Sequence, residues 1–425
     1  MTGRSPFAHR DFRLLLLGQT TSQFGAQVSA VAIPLLAVIT LHATPFQMGL
    51  INASSTLAFA LIGLQAGAWL DRLRRGPVLI ASDAIRAALL LSIPVAWWLG
   101  VLTIGQLVVV SLLVGAARVF FDVGYSSYLP TVIGRDKVLA GNSALESVRA
   151  SGQVAGPGVG GWLVAVLGAA SVVLIQSVTF LVSALSLLAI RTREPRPVPD
   201  PARPPLRRQI GVGVRMVLRN PVLRATAISS AAGNLAFALA SAVTFIFFSR
   251  TLRLSPTGIG IVLAIGAVTV VAGAALTPRL ARRVGSARIV WLSLAVTGPV
   301  GLLSPLAQPG PLVVLVVIGT AVGEFGQIIY AISNVSLRQR LCPDELLGRV
   351  NATMRFAIMG LFPLGALVGG ALGEWIGLRG TLWVSFSIIA LSTIPVYRAL
   401  RAARDVEDLP AWAAPEPSGP VHERP

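Results

Sequence analysis

What this chain of 425 residues lacks narrows its class first. It has one cysteine (Cys342), three histidines and 17 acidic residues. One cysteine cannot close an internal disulfide, and no Cys/His grouping has metal-ligand spacing. Charged residues make up only 12% of the chain, against roughly 25% in a soluble domain, so there is too little polar surface to coat a soluble particle. There is no GxxxxGK[ST] loop to cradle a nucleotide phosphate. No nucleophile–base set marks an enzyme. Lysine is nearly absent too: of 35 basic residues, only Lys137 is not arginine. A net charge of +18 could point to nucleic acid. The arginines, however, sit between apolar runs rather than among stacking aromatics, and no nucleic-acid partner is expected.

What is present is apolar. Hydrophobic residues reach 54% and mean hydropathy is +0.76. A membrane span needs about 20 largely apolar residues. Such runs lie at Leu14–Ile39, Phe46–Leu70, Pro77–Leu99, Ile104–Tyr128, Ser143–Leu167 and Ala170–Ile190. They resume at Val222–Phe248, Pro256–Thr277, Ala287–Ala307, Pro311–Ile332, Val350–Gly373 and Leu378–Ala399. The first run is too long for a cleavable leader and lacks a small-residue cleavage pattern, so it is expected to remain as span 1. Continuous runs, rather than short alternating ones, exclude a closed β-barrel.

The arginines orient the spans. Arg72, Arg74, Arg75, Arg135, Lys137, Arg279, Arg282, Arg283, Arg288, Arg338, Arg340 and Arg398 fall on one face; Arg250, Arg253 and Arg379 fall on the other. Positive loops stay in the cytoplasm, which places both termini there, in a cytoplasmic (inner) membrane. Between spans 6 and 7, "RTREPRPVPDPARPP" reads as an extended connector. After it, "LRRQIGVGVRMVLRN" sets Arg207, Arg208, Arg215 and Arg219 among apolar residues. That pattern suits a helix lying on an anionic inner leaflet.

The chain repeats itself. "GAWLDRLRRG" from Gly67 is echoed by "GAALTPRLARRVG" from Gly273. Asn142, Gly156, Gly160 and Gly161 recur as Asn351, Gly365, Gly369 and Gly370, at a constant offset of 209. An even number of spans separates the matches, so the halves share orientation. The expected architecture is an all-α membrane protein of twelve transmembrane helices in two parallel six-helix pseudo-repeats. Its parts are a bundle over 1–190, a linker over 191–221, a second bundle over 222–400 and a disordered tail over 401–425.

These residues carry a family resemblance. Gly67, Asp71, Arg72 and Arg75 match the loop signature between spans 2 and 3 of major facilitator transporters, although Trp69, Arg74 and Gly76 depart from it. "GQVAGPGVGG", with Gly152, Gly156, Pro157, Gly160 and Gly161, matches the GxxxGPxxGG signature associated with antiporters in span 5. "FFDVGYSSYLP" and "GNSALESVRASGQVAGPG" resemble the exporter branch that includes enterobactin exporters and macrolide-efflux relatives. The resemblance implies parallel halves around a central cavity. It also implies a charge-cluster gate at Gly67, Asp71, Arg72 and Arg75, and secondary export of amphiphilic small molecules such as drugs, antibiotics or siderophores, with proton antiport.

Ionisable residues inside spans are costly unless paired or hydrated. Asp83 with Arg86, and Glu146 with Arg149, read as local structural pairs. Glu324, near mid-membrane in span 10 with no basic residue within a turn, is the expected carrier of the coupling proton. Arg118 and Asp122 in span 4 would tune the charge of the cavity. Many relatives carry their coupling acid in span 1, which here has only Asp11 at its entrance. Span 1 instead bears Gln19, Gln23 and Gln27 at i,i+4 spacing beside Ser22. Ser230 and Asn234 form a shorter stripe in span 7, at an offset of 207 from Gln23 and Gln27. With Tyr125, Gln327 and Tyr330 these residues are expected to line a cavity for an amphiphilic substrate. No cofactor is expected beyond a proton gradient, and one chain suffices as a functional monomer. An importer of the same fold, or a non-transporting sensor or scaffold, are the alternatives.

Overall fold

The computed structural model describes residues 9–70, 73–192, 194 and 206–409, and in them the chain is almost wholly helical. The first half comprises α1 (Arg10–Leu35), α2 (Pro45–Leu70), α3 (Arg75–Trp98), α4 (Ile104–Ile133), α5 (Val138–Leu167) and α6 (Ala169–Leu188). A separate helix, α7 (Leu206–Arg219), follows. The second half comprises α8 (Pro221–Ile246), α9 (Pro256–Val284), α10 (Arg288–Thr297), α11 (Val314–Leu341), α12 (Asp344–Gly360), α13 (Phe362–Trp375), α14 (Gly377–Leu391) and α15 (Thr393–Leu400).

Local chemistry sets these boundaries. Asn220 and Ser255 cap α8 and α9 with side-chain oxygens, each followed by a proline that needs no donor at the first helical position. The ninth apolar run leaves α-helix after Thr297 and continues as a 3-10 stretch over Pro299–Leu306. Pro299 and Pro305 supply no backbone donors there. The eleventh run divides at Leu361 into α12 and α13, and the twelfth at Ser392 into α14 and α15.

Eleven spans among the described residues are long and apolar enough to cross a membrane. The remaining expected span is α5, a 30-residue helix whose glycines and polar residues dilute its hydropathy. The protein is a multi-pass membrane protein.

The halves repeat in detail. α1 and α8 both run on into a π turn, at Leu36–Thr40 and Phe247–Thr251. Each turn is followed by a non-glycine residue at positive φ, His42 at 51° and Arg253 at 55°. These points lie 211 residues apart. That corrects the expected register of the polar stripes. Ser230 and Asn234 are the counterparts of Gln19 and Gln23 rather than of Gln23 and Gln27. Packing agrees with the corrected register: Gly156 meets Gln27 and Gly160 meets Val28, whereas Gly365 meets Ala238 and Gly369 meets Leu239.

The two halves share an apolar core at one end only among the described residues. Let the basic end be the one carrying the α2–α3, α9–α10 and α11–α12 connections with Arg74, Arg282, Arg283, Arg338 and Arg340. At the far end, one apolar core takes Val38, Met48 and Ile51 from the first half with Val243, Phe247 and Ile259 from the second. At the basic end the cores are separate, one around Phe12, Leu79 and Leu129 and another around Leu223, Leu337 and Leu400.

Two pseudo-equivalent helix crossings make the far-end contact. On one side of the seam α5 crosses α9, where a Cβ on Gly161 would meet the Pro256 carbonyl and lie 2.7 Å from the Gly260 Cα. On the other side α13 crosses α2, where a Cβ on Gly370 would lie 2.8 Å from the Pro45 carbonyl and 3.3 Å from the Gly49 Cα. Close backbone approach of this kind is how small residues join helices in lipid, where no hydrophobic force drives them together.

The tail expected to be disordered over 401–425 needs dividing. Residues 401–409 are ordered: Ala403 and Val406 are buried, Ser286 donates to Asp405 through its backbone N–H (2.8 Å), and Arg340 pairs with Glu407. The Ser286 N–H and hydroxyl hold the Asp405 carboxyl below its ordinary range. This docking is complete above that range and weakens as pH falls through it. The rest of the tail, 410–425, and the Pro-rich connector over 195–205 lie outside the described residues.

A side chain at the crossing has nowhere to go. Gly161→Val should destabilise the folded protein by about 1–3 kcal/mol, read as a lower thermal midpoint in detergent. The same substitution at Gly233, whose Cβ would meet nothing, should leave the midpoint within a degree or two of wild type.

Candidate functional site

Because the halves share no core at the basic end, the helix faces along the seam stay accessible there. On α4, Gly115 packs on the Ser55 carbonyl of α2 and Gly124 on Leu79 of α3. Arg118 and Asp122 occupy the face between these contacts, and Val109 looks outward on the opposite face. Their side chains are 72% and 51% exposed and pair at 3.5 Å. A hydrated pair of this kind contributes about 0–1 kcal/mol to stability, so packing does not account for two charges deep in a span.

On α1, Gln19 is buried, while Gln23 and Gln27 are half-buried. Gln27 lies against Gly152 and Gly156, so the α5 glycines serve first as the bed for α1. Gly160 receives the Val28 backbone, Gly161 joins the other half, and the Pro157 carbonyl lies 2.7 Å from where a Gly260 Cβ would stand. Among the described residues the three glutamines make no side-chain hydrogen bonds.

The counterpart stripe on α8 is used differently. Ser230 Oγ lies 2.8 Å from Tyr330 Oη, Asn334 Nδ2 donates to Ser230 at 3.2 Å, and Tyr330 donates to the Thr226 carbonyl at 3.2 Å. Asn234 donates to the Ile358 carbonyl of α12. Tyr330 is 3% exposed. It therefore ties α8 to α11 instead of forming open wall as expected, and Ser230 and Asn234 are likewise interhelical ties. Tyr125 is half-buried and stacks on Phe121 at 5.8 Å, with its hydroxyl enclosed. Gln327 is exposed.

Glu324 is the eleventh residue of α11, about 15 Å along it. Its Cγ lies 3.5 Å from where a Gly266 Cβ would stand, so it faces α9. Among the described residues it has no hydrogen-bond or ion-pair partner. Arg118 and Asp122 sit in the other half, so Glu324 is not joined to them by any contact among the described residues.

Asp71 and Arg72 lie outside the described residues, and Gly67 lies within α2. Arg75 opens α3, 3.8 Å from Glu194, whose other oxygen accepts from the Gly76 N–H at 3.1 Å. Asp11 accepts from the Thr192 hydroxyl (2.6 Å) and from the Arg191 and Thr192 N–H groups, pinning the chain as it leaves α6.

A family model described as Major Facilitator Superfamily matches residues 15–362 and 249–423. The chain belongs to that superfamily. The facilitator chain is 28% identical over 399 residues to a protein named multidrug efflux pump Tap from Mycolicibacterium fortuitum, covering 90% of this chain and 94% of the relative. Its fold matches the crystal structure of a bacterial homologue of the iron transporter ferroportin in an inward-facing state, with a TM-score of 0.76 and 18% identity over 92% of this chain and 98% of the other. Against an outward-facing structure of a bacterial ferroportin homologue, at 17% identity over 92% and 99% of the two chains, the TM-score is 0.58.

Sequence reading missed several facilitator residues that the structure singles out. Arg250 donates to the Val38 and Ala43 carbonyls of the other half. Glu374 accepts from Thr44 Oγ1 at 2.7 Å and from the Phe46 N–H at 3.3 Å. Arg355 of α12 lies over the Phe59 ring of α2. Gly49 and Gly260 carried a signal that went unread, since they share the 211-residue spacing of the π turns.

The two local pairs differ in kind. Asp83 is fully buried, bonded to Arg86 and accepting from Ser183 at 2.6 Å, while Arg86 is sandwiched between Phe121 and Phe180 at 4.4 and 4.3 Å. Glu146 and Arg149 are exposed. Asp83→Ala should cost roughly 3–5 kcal/mol by stranding the buried guanidinium, whereas Glu146→Ala should cost less than about 1 kcal/mol. Thermal unfolding of the two variants measures the difference.

Proposed function

We propose that this facilitator is a secondary active exporter of amphiphilic small organic molecules, working by alternating access and driven by exchange for protons. The observation that carries the reading is its one-sided closure. The halves are sealed by glycine crossings at the far end and have separate cores at the basic end, and Gln23, Gln27, Arg118, Asp122 and Gln327 flank the seam between. Neutral amides beside a hydrated charge pair and much apolar surface suit an amphiphile better than a small ion or a sugar. The whole-length relative named for multidrug efflux supports the outward direction.

In this reading the basic end is cytoplasmic and the conformation is the inward-open, loading one. Arg215 and Arg219 of α7 rest on the anionic leaflet. Gly67, Asp71, Arg72 and Arg75 form the gate that closes the basic end when the far end opens. Glu324 carries the coupling proton, because it is a carboxyl deep in the bilayer with no ion-pair partner among the described residues.

Everted membrane vesicles test the direction. Accumulation of an amphiphilic dye such as Hoechst 33342 on applying an inside-acid pH gradient supports export, and accumulation only in right-side-out vesicles would instead mean import. Reconstituted Glu324→Gln should lose dye-driven proton movement by about a hundredfold or more, the loss expected when a proton-transferring group is removed. Undiminished proton movement would remove Glu324 from the coupling role.

A further inference from the structure

Arg355 is a cation inside a membrane span with no carboxylate partner among the described residues. It is the twelfth residue of α12, about 16 Å from the start of that helix. Three observations place it on the seam rather than against lipid. Its guanidinium lies 5.1 Å from the Phe59 ring centroid. Phe59 shares a face of α2 with Asn52, which reaches across the halves to Ser241 at 3.1 Å, and opposes Leu61, which is 61% exposed. The opposite side of α12 is occupied, where Gly213 of α7 packs on the Arg349 carbonyl and Thr353.

Two other arginines of the spans have carboxylate partners. Arg118 has Asp122, and Arg149 has Glu146. Arg355 is exposed and, among the described residues, has only an aromatic face. A cation–π contact at an exposed site contributes about 0.5–1 kcal/mol, and it does not neutralise the charge. A guanidinium presents a planar fork of donors matched to carboxylate, sulfonate or phosphate oxygens.

We propose that Arg355 is an anion-binding residue of the cavity, held by Phe59 when unoccupied, and that the substrates include amphiphiles carrying a carboxylate, sulfonate or phosphate group. The apolar part of such a molecule would lie along Phe59 and Met359, and its anionic group would take the guanidinium. This deepens the transport reading and rests on it for the cavity being a substrate path.

The test is equilibrium binding to the full chain in phosphatidylcholine nanodiscs, corrected for empty discs, with two amphiphilic dyes. The anionic probe is 8-anilinonaphthalene-1-sulfonate and the cationic probe is ethidium. In Arg355→Gln the sulfonate should bind about tenfold more weakly, the loss expected for one charge-assisted contact. Arg355→Lys should recover much of that affinity, and ethidium should bind at least as well as to wild type, which also shows the variant to be folded. Equal weakening of both dyes, or an unchanged sulfonate affinity, would overturn the proposal. If Arg355→Gln does not fold, competition in the wild type decides instead. Dodecyl phosphate should displace the sulfonate and dodecyltrimethylammonium should not; equal displacement by both overturns the site.

Replacing part of the disc lipid by phosphatidylglycerol identifies the source of the anion. Competition lost in Arg355→Gln means that a lipid phosphate occupies the site, and no competition means that the anion is cargo; either supports an anion site at Arg355. Binding needs no transport. If export fails while this site stands, the sulfonate still binds through Arg355 without crossing the membrane.

Discussion

Two backbone crossings, Gly161 on Gly260 and Gly370 on Gly49, govern the rest of this structure. In a bilayer the lipid is as apolar as the side chains, so two six-helix halves have no hydrophobic reason to stay together. What joins them is close packing that only residues without a Cβ permit. The close packing is concentrated at one end, where π turns, a shared apolar core and the Arg250 and Glu374 bonds add to it. Polar bonds in this setting replace water that is absent, so their arrangement fixes how the halves meet.

One-sided closure then determines which polar groups see water. Charges with rigid partners are buried inside a half, as Asp83 and Arg86 are between Phe121 and Phe180. Arg118 and Asp122, beside the seam, are instead exposed. The repeat generates this economy but does not enforce equal use of its halves. The α1 glutamines remain without side-chain partners among the described residues, whereas their α8 counterparts are spent tying α8 to α11 and α12. The first half thereby offers the adaptable wall and the second half the rigid one.

Much of this was legible in the sequence, for physical reasons. Hydrophobic run length reports membrane spans directly, because an unpaired backbone cannot cross lipid. The glycines of span 5 and their copies at an offset of 209 announced a tight interface. The partner helices did not, since Gly49 and Gly260 are ordinary single glycines in apolar runs. The 207-residue register of the polar stripes failed because chemical similarity between Gln and Ser or Asn is weaker than the backbone register of the π turns. Tyr330 shows a second limit: periodicity gives a residue's face but not whether a neighbour covers it. Arg355 belongs to no motif or repeat, and only its position five residues inside the eleventh run sets it apart.

The central claim is that the halves pivot about the far-end crossings, closed there and open at the basic end until the substrate cycle reverses them. Pulsed electron–electron distance measurements test it most directly, with the buried Cys342 replaced by serine and labels placed across the α5–α9 seam. One pair, Leu139 with Arg282, reports the basic end; the other, Leu167 with Ser255, reports the far end. In proteoliposomes without substrate, the account predicts a long, broad distance for the first pair and a short, narrow one for the second. Both should move in opposite senses when dye and a proton gradient are supplied. Distances at the two ends that stay fixed, or that lengthen together, would contradict it.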